Sequence, residues 1–112
     1  MRAAVALAGA LVATAIGMAP AAQADQIGYL VNVTVKPGYN FPNADAALQY
    51  GNLLCDRIRG GEPYPMLARS IKDYFHTDEY GASYLLSQAT GELCPAQIWA
   101  LRQSAGGYTP QP

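Results

Sequence analysis

The sequence predicts an all-α domain, a small bundle of three to five short helices tied by one disulfide. Three observations predict it. Apolar residues recur at three- and four-residue spacing along much of residues 43–104, the period of helices that bury one face. Cap-forming residues stand where these runs begin and end. The chain also holds two cysteines, Cys55 within the strongest run and Cys94 directly ahead of a proline.

The chain opens on Arg2, followed by an apolar run from Ala3 to Ala19 broken only by Gly9, Thr14 and Gly17. Pro20 ends the run. Ala22-Gln23-Ala24 then offers the small-x-small pattern that fits the narrow pockets of a signal peptidase. Residues 1–24 are expected to be a signal peptide, cut between Ala24 and Asp25. The run falls short of the roughly 20 apolar residues that cross a bilayer, so no stable membrane span is expected. Neither cysteine lies near the cut, which speaks against a lipoprotein signal. The protein is expected to be secreted or held in the cell envelope.

Residues 25–105 are expected to form one helical domain. The first segment, 27–35, is open between two readings. Val31, Val33, Thr34 and Val35 favour a strand, yet a lone strand has no partner in a helical chain, and a short helix could dock Tyr29, Leu30 and Val33. Lys36-Pro37-Gly38 ends it as a turn. Asn43 to Arg59 is the clearest helix, with Asn43 as N-cap, Asp45 in its first turn and Gly60-Gly61 at its end. Ala44, Ala47, Leu48, Gly51, Leu54, Cys55 and Ile58 share its inner face. Pro63 to His76 follows, with Pro65 in the first turn and a stripe of Leu67, Ala68, Ile71, Tyr74 and Phe75. Thr77 is expected to cap a third helix that buries Ala82, Leu85, Leu86 and Ala89 and stops at Gly91. Cys94-Pro95 opens a last helix to about Ser104, anchored by Ile98, Trp99 and Leu101. Residues 106–112, rich in Gly, Pro and Gln, are expected to be a disordered tail.

Composition narrows the role. Losing Arg2 with the leader takes the formal charge from −1 to −2, and the remaining basic residues are scattered. Such a chain carries no electrostatic footprint for nucleic acid. A domain this short has a marginal core and wants a staple. In an oxidising compartment Cys55 and Cys94 read as one disulfide, closing a loop of about 40 residues, which the chain-entropy model values at ~4 kcal/mol. Two Cys and the single His76 are too few for a zinc site.

Tyr29-Leu30 after the leader, a Gly38-Tyr39 turn, the helix start Asn43-Ala44-Asp45-Ala46-Ala47, Gly51 ahead of Leu53-Leu54-Cys55, Gly60-Gly61, and the ending from Ala89 to Cys94-Pro95 come in a characteristic order. From Tyr29 to Pro95 the chain resembles the domain of unknown function 732 family, small exported proteins of mycobacteria and their relatives. Val31 to Val35 departs from the Ala- and Leu-rich helical stretch of that family. The resemblance implies a compact helical domain with a disulfide and carries no activity.

Several side chains deserve weighing as sites. His76 has Asp73, Asp78 and Glu79 near it in sequence, the beginnings of an acid–base pair or metal site, but a solvated helix end explains the same residues. Ser83 or Ser87 could be drawn into a triad with His76, yet neither a nucleophile elbow nor a phosphate loop occurs. Asn32-Val33-Thr34 fits the glycosylation pattern, which is too common to weigh. Eight Tyr, two Phe and Trp99 are many for this length. Tyr74, Phe75 and Trp99 are expected in the core, whereas Tyr39, Tyr64, Tyr80 and Tyr108, on loops or first turns, could face partners or sugars, although tyrosines capping the edge of a small core with their hydroxyls in water explain the same positions and are the preferred reading. No catalytic, cofactor-binding or metal-ligating residue is assigned, and no cofactor is expected. The expected role is a non-enzymatic interaction or binding module for an envelope or extracellular protein or glycan. The alternatives are a small hydrolase or metal-dependent enzyme using His76, and an apolar-ligand carrier with a pocket lined by Leu67, Ile71, Leu85 and Ile98.

Overall fold

A computed structural model describes residues 25–110, so the expected leader, up to Ala24, lies outside the described residues. Five α-helices follow one another: α1 (residues 25–35), α2 (Ala44–Arg59), α3 (Tyr64–Phe75), α4 (Glu79–Gln88) and α5 (Ile98–Ser104). A π turn, Ala89–Leu93, and a 3-10 turn, Pro95–Gln97, join α4 to α5. There is no strand among the described residues.

The first segment is therefore a helix. Tyr29 and Val33, one helical turn apart, are buried, while Ile27, Val31 and Val35 are exposed. A strand would have put Val31, Val33 and Val35 on one side; docking against α2 overrides the β-branched preference. The seat for α1 is built from small residues. The Tyr29 ring lies over Gly51, and its hydroxyl donates to the Ala47 carbonyl at 2.8 Å. A Cβ at Gly51 would sit 2.7 Å from that phenol and 2.6 Å from the Leu93 side chain. Asn32 ties the other side of α1 to α4, its amide donating to Gln88 at 2.7 Å.

α2 forms as its caps dictate. Asn43 accepts the Ala46 amide at 2.8 Å, and Gly61 takes a positive φ of 94° just past the helix end. Ala47, Gly51, Leu54, Cys55 and Ile58 are buried, whereas Ala44, expected inside, is exposed. α3 buries Leu67, Ala68 and Ile71. His76 closes it in the left-handed conformation (φ 53°), a role more often given to glycine. The N-cap of α4 is Asp78, one residue later than expected, and its carboxylate accepts the Gly81 amide at 2.9 Å. Thr77 instead fills the space over Gly81, where a Cβ would meet its hydroxyl at 2.0 Å. The buried set Ala82, Leu85, Leu86 and Ala89 is the one its spacing predicts.

α4 does not stop at Gly91. The chain widens into the π turn, in which the Cys94 amide donates to the carbonyl of Ala89, five residues back, at 3.2 Å. That places Cys94 against α2, where it is bonded to Cys55 across 39 residues of chain. Pro95 then starts the 3-10 turn that leads into α5. Of the three anchors expected there, Leu101 is buried and Ile98 half-buried, but Trp99 is 67% exposed. A two-turn helix presents one stripe, and Trp99 falls opposite Leu101. Tyr108, expected in a disordered tail, folds back edge-on to Tyr64 at 5.5 Å and donates to Glu79 at 2.9 Å.

Two outcomes follow for stability. Gly51→Ala should destabilise the domain by about 1–3 kcal/mol, because neither Tyr29 nor Leu93 can retreat without uncovering core. Thermal denaturation would register this at roughly 4–8 °C per kcal/mol, and an unchanged melting temperature would show that α1 does not rest on Gly51. Replacing both Cys55 and Cys94 by Ser should remove ~4 kcal/mol and lower the melting temperature by tens of degrees. Thiol titration of the native, unreduced protein should find no free sulfhydryl.

Candidate functional site: an uncharged aromatic face

Five rings gather where the loop after α1 meets α2 and the end of α3. Tyr39 and Phe41 come from the loop, Tyr50 from α2, and Tyr74 and Phe75 from the last turn of α3. Phe75 is the hub. Tyr39, Phe41, Tyr50 and Tyr74 all meet it edge-on, with centroids 4.8–5.4 Å away and planes 70–76° apart. This geometry sets the positive edge of one ring against the negative face of the next, which holds the rings rigid. Tyr39 anchors the cluster from beneath. It is buried, and its hydroxyl donates to the Gly81 carbonyl at 2.6 Å. Burial, with neighbouring tyrosines adding to it, pushes the Tyr29 and Tyr39 phenols well above the ordinary tyrosine value. Both therefore stay protonated donors at any physiological pH.

Tyr74 stands proud of this platform, 69% exposed, although its helical spacing predicted core. On each side of it runs a shallow groove. One, of about 350 Å3, is lined by Tyr39, Asn40, Phe41 and Phe75. The other, of about 300 Å3, is lined by Phe41, Gln49, Tyr50 and Leu53. No charged side chain lines either groove. Leu53 is 49% exposed and extends the apolar surface along α2. Exposed, rigid aromatic area with charge held away is the composition of the buried centre of a protein interface, and flat rings edged by amides also suit sugar rings.

Beside this face, Lys36 sits over three rings at once, 5.7 Å from Tyr39, 5.1 Å from Tyr80 and 5.5 Å from Tyr84. The ammonium is held by the ring faces and secures the loop to α4. Of the four tyrosines expected at the surface, Tyr80 is exposed, Tyr39 is core, and Tyr64 and Tyr108 are tied to Glu79.

The residues around His76 do not converge. His76 and Asp73 are exposed, Asp78 is spent on its cap, and Glu79 points into a separate cluster. Glu79 accepts from Lys72 at 2.9 Å, Tyr108 at 2.9 Å and Tyr64 at 3.0 Å. Burial pushes the Glu79 carboxyl up, but the three donors outweigh it and hold its pKa below the usual carboxylate value. The hydrogen bond to Glu79 in turn raises Lys72. Among the described residues no group of three or more His, Cys, Asp or Glu is placed to hold a metal. No helix among them is long and apolar enough to cross a membrane. The pocket expected from Leu67, Ile71, Leu85 and Ile98 does not assemble, since the first three are fully buried core. Ile98 instead lines a groove with Leu86 and Leu101.

These features define a small all-α domain closed by a single disulfide, with an aromatic platform as its most distinctive surface. The chain belongs to the family described as protein of unknown function (DUF732), whose model matches residues 21–96. That span includes Tyr29, Gly51, Cys55 and Cys94, the residues that seat α1 and close the fold; α5 lies beyond it. No curated protein and no solved structure matches the chain.

The Glu79 cluster makes a prediction about acid. A carboxylate whose folded pKa is depressed adds stability above its unfolded pKa of about 4.3, and that stability is lost as pH falls through the lower folded value. Glu62 has its pKa lowered in the same way, chiefly by its hydrogen bond from Arg57. Acid unfolding should therefore set in below about pH 4. Glu79→Gln should flatten that limb of the stability–pH curve, with Glu62→Gln removing a further part. A curve unchanged by either substitution would rule out this origin.

Proposed function

We propose that this chain is exported, loses residues 1–24, and acts as a non-enzymatic binding module that engages an envelope or extracellular protein or glycan through the Tyr74 face. The observation that carries the proposal is Tyr74 itself, a large ring held in place by Phe75 and Tyr50 yet left in water between two uncharged grooves. Holding a large apolar ring rigid and exposed forgoes burial energy, and recognition is the use that recovers it on binding. Export is supported by the leader pattern and by the Cys55–Cys94 bond, which suits an oxidising compartment. The non-enzymatic reading is supported by Glu79, whose carboxylate is held by three donors, and by His76, which serves as a helix cap in solvent.

Capture from envelope extract and culture medium with the disulfide-intact protein tests this. A partner retained by the parent and by Met66→Ala, a control at another exposed apolar side chain, should be retained at least tenfold less by Tyr74→Ala. Tyr74→Ala should keep the parent's stability within about 1 kcal/mol, and His76→Ala should leave capture intact. Equal capture by parent and Tyr74→Ala would overturn the assignment of the face. Exported protein should begin at Asp25 by intact mass, and a retained Met1 would overturn export with cleavage.

A further inference from the structure

Glu92 stands in the π turn, two residues ahead of the disulfide-bonded Cys94, and its carboxylate lies against the opening turn of α1. A Cβ at Gly28 would sit 2.9 Å from Oε2 of Glu92, 3.2 Å from its Cδ and 3.5 Å from Oε1. The carboxylate thus takes the place of the side chain that Gly28 lacks. On a helix the Cα–Cβ bond leans towards the N-terminus, so a group at a Cβ position covers the turn before it. Here that turn is Asp25 to Gly28. Asp25 and Gly28, three residues apart, share a face, with only about 4.5 Å of rise along the axis between them.

Glu92 also differs from the other carboxylates. Asp56, Glu62 and Glu79 have cation partners, and Asp78 caps α4. Asp25, Asp45 and Asp73 have no cation beside them but are exposed. Glu92 is half-buried and, among the described residues, has neither an ion pair nor a side-chain hydrogen bond. Holding a partly buried carboxylate at one fixed place without a counter-charge costs desolvation energy that a cation there would offset. No lysine or arginine supplies that cation. Processing does. Hydrolysis of the Ala24–Asp25 peptide bond leaves a carboxylate on the departing leader and an ammonium on Asp25, at the start of the turn that Glu92 covers.

We propose that leader removal adds the last tie in the fold: the new α-ammonium of Asp25 pairs with the Glu92 carboxylate and fastens the start of α1 to the π turn. The uncut chain has an amide at that nitrogen and cannot form the pair. The mechanism rests on the reading that residues 1–24 are cut away, and the test separates the two.

Exported, disulfide-intact protein is acetylated at its α-amine alone, which removes the charge and keeps the chain. A free ammonium at a helix start opposes the helix dipole, so acetylating it normally stabilises a helix. In this protein the sign should reverse. At pH 6, with the α-amine protonated and carboxylates ionised, acetylation should lower the melting temperature of the parent by roughly 2–5 °C. In Glu92→Gln, which keeps the size of the side chain over Gly28, acetylation should not lower it. A dipole contact alone would give stabilisation by acetylation in both proteins. Acetylation that stabilises the parent, or an equal shift in parent and Glu92→Gln, would overturn the pair and leave cleavage standing. An intact mass showing a terminus other than Asp25 would overturn the cleavage reading and the pair together.

Discussion

The bond between Cys55 and Cys94 joins the middle of α2 to the end of the π turn, and it sits one turn from the notch at Gly51. Leu93, the residue before Cys94, is thereby pressed over Gly51 beside the Tyr29 ring. Three parts of the chain that are far apart in sequence meet there: α1 through Tyr29, α2 through Gly51 and Cys55, and the π turn through Leu93 and Cys94. For so short a domain, whose apolar core alone is marginal, a covalent link at this junction constrains the unfolded chain where these three parts of the native chain meet.

Tyrosine does much of the remaining work, in two distinct ways. Tyr29 and Tyr39 are buried and send their hydroxyls to helix carbonyls at Ala47 and Gly81, so each satisfies its one polar group while filling core. Tyr64 and Tyr108 converge on Glu79 and bring the end of the chain back to the starts of α3 and α4. Gly51 is glycine because the Tyr29 ring lies over it, and Gly81 because Thr77 fills the space a Cβ would take, although both lie within helices. Tyr74 differs from all of these in being 69% exposed.

Much of this was legible in the sequence, and what was not has identifiable causes. α2 announces itself through Asn43, the apolar period and Gly60-Gly61, all local signals that the tertiary structure leaves alone. α1 was ambiguous because β-branched residues argue locally for a strand, and the deciding fact, a notch on α2 shaped for Tyr29, is non-local. Tyr74 is exposed because near a helix end the apolar period continues past the residues that the bundle covers, and Trp99 because it stands opposite Leu101 on a helix of only two turns. Tyr39 was misplaced for a different reason, since a loop residue carries no period from which burial can be read. The aromatic face joins a loop, α2 and α3, so no single window of sequence contains it. The disulfide could be read at once, because two cysteines allow one pairing.

The π turn also bears on how the sequence tolerates change in length. A helix carries each residue about 100° further around its axis, so closing the five-residue turn to an ordinary α-helical one by deleting a single residue between Ala89 and Leu93 would swing the following backbone by that angle. Cys94 would then leave the flank of α2, and the side chain pressed over Gly51 would no longer be a leucine. Most surface turns absorb a one-residue indel with little effect. Here the count of residues from Leu86 to Cys94 acts as a ruler, and substitutions along it should be far better tolerated in descent than any gain or loss of a position.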